Sequence, residues 1–186
     1  MRRLIFIVLA ILPLITKAPQ ITTYEKQLKI HTRWLEQKKL RQEQQLESFL
    51  FHLSLRESAH KWKIINRLGY MGKYQFGNDA LSDIGFKHIT TRRFRRNPNI
   101  FPIHLQDIAV KRYMYFNANL LQKHMKYIGC TINGVMITKS GLLAAAHLGG
   151  AGNVKEFLES EGEINFADDN ETKLTEYLET FKNYNF

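Results

Sequence analysis

A chain of 186 residues with 44% hydrophobic and 24% charged content has room for one domain plus a short extension, and its composition excludes disordered and fibrous classes. The single cysteine, Cys130, excludes a disulfide framework and a cysteine zinc cluster; its neighbours Ile128, Gly129 and Ile132 predict a small buried residue. The net charge of +10 says little about fold but predicts an anionic partner: nucleic acid, an anionic membrane surface or a polyanionic wall polymer.

In chain order, Met1-Arg2-Arg3, the apolar run 4–15 and Thr16-Lys17-Ala18 read as a signal sequence over residues 1–18. The run is shorter than the ~20 residues of a membrane-spanning helix. Pro19 would be an awkward residue to follow a cleavage site, so an uncleaved N-terminal anchor is the alternative. Export to the periplasm or cell envelope is expected, which makes intracellular nucleic acid a poor candidate partner. Residues 19–47 are rich in Lys, Arg, Glu and Gln and predict a polar helical spacer. Apolar density rises at Phe49, and Phe49, Leu50, Leu53 and Leu55 fit the buried face of a helix over roughly 45–59. The domain proper is expected over 48–186.

A glycine-and-aromatic segment follows, Gly69-Tyr70-Met71-Gly72-Lys73-Tyr74-Gln75-Phe76-Gly77, and predicts a small hairpin or irregular loop. Asn78 reads as the N-cap of a helix over 79–84, stopped by Gly85. KHITTRRFRR, residues 87–96, contains Arg92, Arg93, Arg95 and Arg96 and no acid. It is a solvated positive surface or a patch for an anionic envelope surface. Residues 104–128 predict a long helix with a buried stripe of Leu105, Ile108, Ala109, Arg112, Phe116, Leu120 and Met125. Gly129 and Gly134 bracket a turn. Thr138 or Ser140 caps an apolar core helix over 141–148, broken by Gly149-Gly150-Ala151-Gly152, with a short helix over 154–159 after it. The stretch 159–171 is acidic. A last amphipathic helix is expected over 172–182 with Leu174, Tyr177, Leu178 and Phe181 inward. The fold class that results is mainly α, a helical domain with one small hairpin or loop excursion.

Several chemistries find no pattern. The seven histidines are scattered without H-x-x-x-H or H-E-x-x-H spacing, so no metal site is expected. There is no G-x-S-x-G nucleophile and no phosphate-binding glycine loop in the right context, and no cofactor is implied. Glu57 stands out as the only acid between Ser48 and Asn78. A carboxylic acid placed among apolar and aromatic groups is favoured in its proton-bearing form, and such a group protonates glycosidic oxygens. The commoner arrangement is a helix-end glutamate on the surface beside Arg56 or Lys61.

Two segments bear on that choice. Arg56-Glu57-Ser58 followed by Gly69-Tyr70-Met71-Gly72-Lys73-Tyr74-Gln75-Phe76 resembles the E-S … G-x-M/Y-G-x-x-Q-F pattern of lysozyme-like lytic transglycosylases. Ala145-Ala146-His147-Leu148-Gly149-Gly150-Ala151-Gly152-Asn153-Val154 resembles their A-A-Y-N-A-G-x-G-x-V segment, in the same order along the chain. The likeness covers roughly 48–158. It implies a lysozyme-like α+β domain that cleaves the MurNAc–GlcNAc β-1,4 bond of peptidoglycan glycan strands. Glu57 matches the general acid/base. Ser58, Tyr70, Tyr74, Gln75, His147 and Gly150 match residues that hold the acid or line the glycan groove. In such enzymes one Glu protonates the leaving oxygen and then helps the C6 hydroxyl attack, so no second acid is needed; Asp79 and Asp83 are the only near candidates for a lysozyme-type partner. The chain departs from the pattern at Ala59-His60, where glycine commonly follows Glu-Ser, and at His147-Leu148, where tyrosine and asparagine are usual. The alternatives are a hydrolytic muramidase or a non-catalytic peptidoglycan-binding protein on the same fold.

Overall fold

The computed structural model describes residues 22–186; the expected leader lies outside the described residues. The chain divides into two compact units, 1–39 and 40–186. Within the first, the described residues are exposed throughout and, from Thr23 on, belong to one helix. That helix, α1, spans Thr23–Ser58, so the polar stretch and the segment expected to begin near 45 share one helix assignment. Gly and Pro are absent from it, and Glu25 caps its start by accepting from the Thr22 backbone at 2.7 Å. Only its last turns are buried, through Phe49, Leu50, Leu53, Ser54 and Ser58. Among the described residues, no helix is long and apolar enough to cross a membrane.

The unit 40–186 is mainly helical, as the sequence predicts. After α1 come α2 (Asn78–Asp83), α3 (Thr91–Arg96), a 3₁₀ turn at Pro98–Ile100, α4 (Ile103–Leu120) and a second 3₁₀ segment at Gln122–Tyr127. Strands β1 (Thr131–Ile132) and β2 (Val135–Met136) form an antiparallel hairpin, followed by α5 (Lys139–Glu159) and α6 (Leu174–Thr180). The core is centred on α5, which packs against α4 and α6. Leu142, Leu143 and the three alanines Ala144–Ala146 are all buried, and Phe157, Leu174, Leu178 and Phe181 close around them.

Several local expectations change. Gly77, not Asn78, is the N-cap of α2; the Asn78 amide oxygen instead accepts from the Thr91 backbone at 2.8 Å. The expected helix 104–128 tightens into 3₁₀ geometry after Leu120. Its buried face is Gln106, Ala109, Val110, Met114 and Asn117, while Ile108 and Leu120 are exposed. Ala109 is buried and Leu105, Phe116 and Met125 pack against the core, as the stripe predicts, whereas Ile108, Arg112 and Leu120 face out and Gln106 and Asn117 are buried polar groups that a stripe drawn through apolar residues passes over. Cys130 is exposed, not buried, because it precedes a two-residue strand at the surface. Thr138 caps α5, its hydroxyl accepting from Gly141 N–H at 3.1 Å. Gly149–Gly152 does not end that helix: it bends at Gly150, whose φ of 78° and ψ of 160° are non-helical, and then resumes. Gly149 is required by close approach, since a Cβ there would sit 2.8 Å from the Phe166 ring and 3.0 Å from Leu174. The excursion at 66–77 is turns with isolated bridges, Ile65 to Met71 and Met71 to Phe76.

Candidate active site

Glu57 occupies the last turn of α1, anchored by the burial of Phe49, Leu50 and Leu53. The helix ends in a left-handed turn, with Ala59 at φ 50° and His60 at φ 63°. Their N–H groups reach back to the carbonyls of Leu55 and Ser54 at 3.0 and 3.2 Å, the closure for which glycine is usually chosen. The His60 ring helps hold this conformation: Nδ1 is 2.7 Å from Ser54 Oγ, which itself donates to the Phe51 carbonyl, so Nδ1 carries the proton.

The opposite wall is the loop 70–77. Gly72 takes φ 80°, and a Cβ there would lie 2.4 Å from Gln106 Oε1. This lets buried Gln106 use its whole amide. Its Oε1 accepts from Lys73 N–H at 2.6 Å, and its Nε2 donates to the carbonyls of Trp62 at 2.9 Å and Phe101 at 2.6 Å. Lys73 Nζ and the Tyr74 hydroxyl both donate to Asp107 Oδ1 at 2.9 Å. Ser58 Oγ donates to the Lys73 carbonyl at 2.8 Å and joins the loop directly to the helix that carries Glu57.

The Glu57 side chain is 14% exposed and lines a cleft of about 450 Å³. The Tyr177 hydroxyl, on α6, donates to Glu57 Oε1 at 2.6 Å. The Arg56 guanidinium lies over the Tyr177 ring, 4.5 Å from its centroid, and bonds Glu176 at 3.2 Å. Burial first, and then the Glu57 carboxylate, push the Tyr177 phenol well above the usual tyrosine range, so it stays a donor. His147 Nε2 is 2.9 Å from the Tyr74 carbonyl and 4.0 Å from Glu57 Oε1. The carbonyl accepts only from an N–H, so the proton is on Nε2; Nδ1 is buried without a partner. Tyr177 engages only one of the two carboxyl oxygens of Glu57, Oε1.

Of the residues singled out in the sequence, Glu57, Tyr70, Gln75 and His147 line this cleft together. Gln75 Nε2 is engaged with the Gly72 carbonyl at 2.7 Å. The cleft continues into a second half of about 660 Å³ that shares Leu68, Tyr70, Gln75, His147, Leu148 and Phe166 and adds Gly150, Asn78, Asp79 and Thr91. Ser58 and Tyr74 do not line the groove: Ser58 is buried against the Lys73 carbonyl, on the helix that carries the acid, and Tyr74, expected on the groove wall, is 1% exposed. Both fix the wall from behind. Burial and the bond to Asp107 push the Tyr74 phenol well up as well. Arg92, Arg93, Arg95 and Arg96 lie on α3 and do not line either half.

The acids are distributed differently from expectation. Asp79 lines the far half, and Asp83 lies at a separate groove with Ile108 and Tyr115. Asp168 and Asp169, in a stretch read from sequence only as acidic, line the Glu57 half. The hydroxyl of Tyr177 was also missed, because the residue fits an inward apolar stripe and nothing in the period says where its oxygen points. Among the described residues, no group of three or more His, Cys, Asp or Glu could hold a metal ion. No family model matches this chain, and no curated protein or solved structure does.

Proposed function

We propose that the protein is an exported peptidoglycan-cleaving enzyme of the lysozyme-like lytic transglycosylase type, with Glu57 as general acid/base. The observation that carries this reading is the Glu57 carboxyl on the cleft, held by Tyr177 through one oxygen and backed by the glycine–tyrosine loop. In this mechanism the protonated Glu57 oxygen gives its proton to the O4 leaving group as the MurNAc C1–O4 bond breaks. The C6 hydroxyl of the same sugar then attacks C1, its proton returns to Glu57, and a 1,6-anhydro end is formed. Tyr70, Leu148 and Phe166 supply faces against which pyranose rings pack, and Gln75 supplies an amide. The basic patch on α3 and the net charge of +10 suit residence on an anionic envelope.

A hydrolytic muramidase is the second reading. It is favoured by Asp168 and Asp169, which bring carboxylates to the same cleft as Glu57, as two-acid glycosidases require. Asp168 already accepts from the backbones of Asn170 and Thr172 at 2.9 and 2.8 Å, which leaves Asp169 as the better candidate for a second acid.

The test is digestion of purified sacculi followed by mass spectrometry. Wild type is expected to release muropeptides with 1,6-anhydro ends, and Glu57→Gln is expected to keep the fold and release none. Reducing ends would shift the assignment to the hydrolase, and binding without release would make the protein a wall-binding module. Lysis retained by Glu57→Gln would falsify the role given to that residue.

A further inference from the structure

The last turn of α1 meets the first turn of α6 through two consecutive pairs. Glu57 Oε1 accepts from the Tyr177 hydroxyl at 2.6 Å, and Arg56 Nη2 donates to Glu176 Oε2 at 3.2 Å. The ion-pair partner of Arg56 is thus Glu176, across the helix contact, and not the neighbouring Glu57. The other oxygen of Glu176 closes the capping box of α6: Oε1 accepts from Lys173 N–H at 3.0 Å. One carboxylate therefore fixes the start of α6 and holds the guanidinium of Arg56 at the same time.

That guanidinium lies over the face of the Tyr177 ring, 4.5 Å from its centroid. A cation over an aromatic face draws on the electron density of the ring, and a phenol so placed is a stronger donor. The direction is visible at Tyr177: burial and the Glu57 carboxylate push the phenol up, and Arg56 pulls it back down. Among the residues that line the Glu57 half of the cleft, Arg56 is the only Lys or Arg. Its side chain is 33% exposed and that of Glu176 is 51% exposed, so the ion pair between them adds little to stability. The contact with the ring is what ties Arg56 to the acid.

From this we infer that Arg56 is a positioning residue for the proposed cleavage: it acts through Tyr177, orienting and polarising the phenol that holds the Glu57 carboxyl. The inference rests on the peptidoglycan-cleaving reading. Glu57 passes from a neutral acid to a carboxylate as the C1–O4 bond breaks, and a hydrogen bond to the charged form favours that form. The Tyr177 donor therefore counts most as the proton leaves, and only an interaction that strengthens on the way to the transition state raises kcat. Arg56 makes no contact with the reacting atoms in this scheme. Its effect passes through one hydroxyl, so it must vanish when that hydroxyl is removed.

The experiment is a double-mutant cycle read as steady-state release of soluble muropeptides from purified sacculi, with wild type, Arg56→Gln, Tyr177→Phe and the double variant. A cation over an aromatic face is worth a factor of about two to five at a partly exposed site, so Arg56→Gln is expected to lower kcat by that much with KM nearly unchanged. Arg56→Lys, which keeps the charge, is expected to recover part of the loss. In the Tyr177→Phe background, Arg56→Gln is expected to change nothing further. Urea midpoints separate a folding defect from a kinetic one, and Arg56→Met, which keeps the stem over the ring, replaces Arg56→Gln in the cycle if that variant does not fold. Equal losses in both backgrounds, or a change confined to KM, overturns the role given to Arg56 and leaves the glycosidase standing. No release by wild type overturns both.

Discussion

Tyr177 and Glu57 are 120 residues apart in sequence and share the shortest oxygen–oxygen contact of the cleft, 2.6 Å. A hydrogen bond to a charged group contributes about 1.5–3 kcal/mol, and about 1.4 kcal/mol is a factor of ten in rate. Tyr177→Phe keeps the ring beneath Arg56 and removes only the donor. It is expected to lower kcat on sacculi about ten- to a hundredfold with KM nearly unchanged, and the steady-state split between the two constants checks this. A large rise in KM alone would assign the phenol to substrate binding. The sequence carried Tyr177 to the right face of the right helix, because Leu174, Tyr177, Leu178 and Phe181 recur at helical spacing, and all are buried. What it did not carry is the direction of one hydroxyl, which depends on how α6 sits against the end of α1. Gln106 shows the converse: a polar side chain at zero exposure was invisible to a stripe drawn through apolar residues, because its partners are backbone carbonyls from two other segments.

At the scale of elements, the end of α1 bears most on the site. The turn after Ser58 places non-glycine residues at φ 50° and 63° where left-handed backbone is needed. The side chain of His60 is tied to Ser54, but Ala59 has only a methyl group and no local compensation. A left-handed conformation costs an L-residue roughly 1–2 kcal/mol, part of which glycine gives back through its freer unfolded chain. Ala59→Gly is therefore expected to raise stability by about 0.5–1 kcal/mol in urea unfolding; a loss of stability would show that Ala59 is not strained. The departure from Glu-Ser-Gly noted in the sequence has a physical reading in this chain: alanine holds a left-handed position that glycine would take at lower cost. The loop 167–173 was the least legible element. Its residues signal acidity and little else, and the Asx-type bonds from Asp168 that shape it arise from local backbone geometry, not from any hydrophobic period.

For the molecule as a whole, four phenols that burial pushes up, Tyr74, Tyr113, Tyr177 and Tyr184, set the response to alkali, Tyr74 and Tyr177 the most strongly. Tyr74 and Tyr177 are each held above the ordinary tyrosine range, chiefly by burial and next by a carboxylate neighbour. The unfolded chain therefore releases these protons first. Native stability is intact below about pH 10, the unfolded phenol value, and declines as pH rises through and beyond it. Urea midpoints measured from pH 8 to 11.5 are expected to fall above pH 10, and the fall is expected to be shallower in Tyr177→Phe. A slope unaffected by that substitution would place the alkaline sensitivity elsewhere. The mainly helical class, the helix order and the pairing of the glycine–tyrosine loop with Glu57 could be read from the chain because they rest on period, punctuation and motif. The β1–β2 hairpin, the exposure of Cys130 and the arrival of Asp168 and Asp169 at the cleft depend on long-range packing and could not.

Gln106 has one further consequence. Its acceptor and both donors are spent on Lys73, Trp62 and Phe101, so these three backbone positions are held in a single register by one side chain. A residue gained or lost between Trp62 and Lys73 would present the amide with the wrong backbone group and move the cleft wall. The exposed glycine turn at Gly85, where a Cβ would meet nothing, lies outside that frame. Length variation in this domain should therefore collect near Gly85 and be excluded from the span that Gln106 measures.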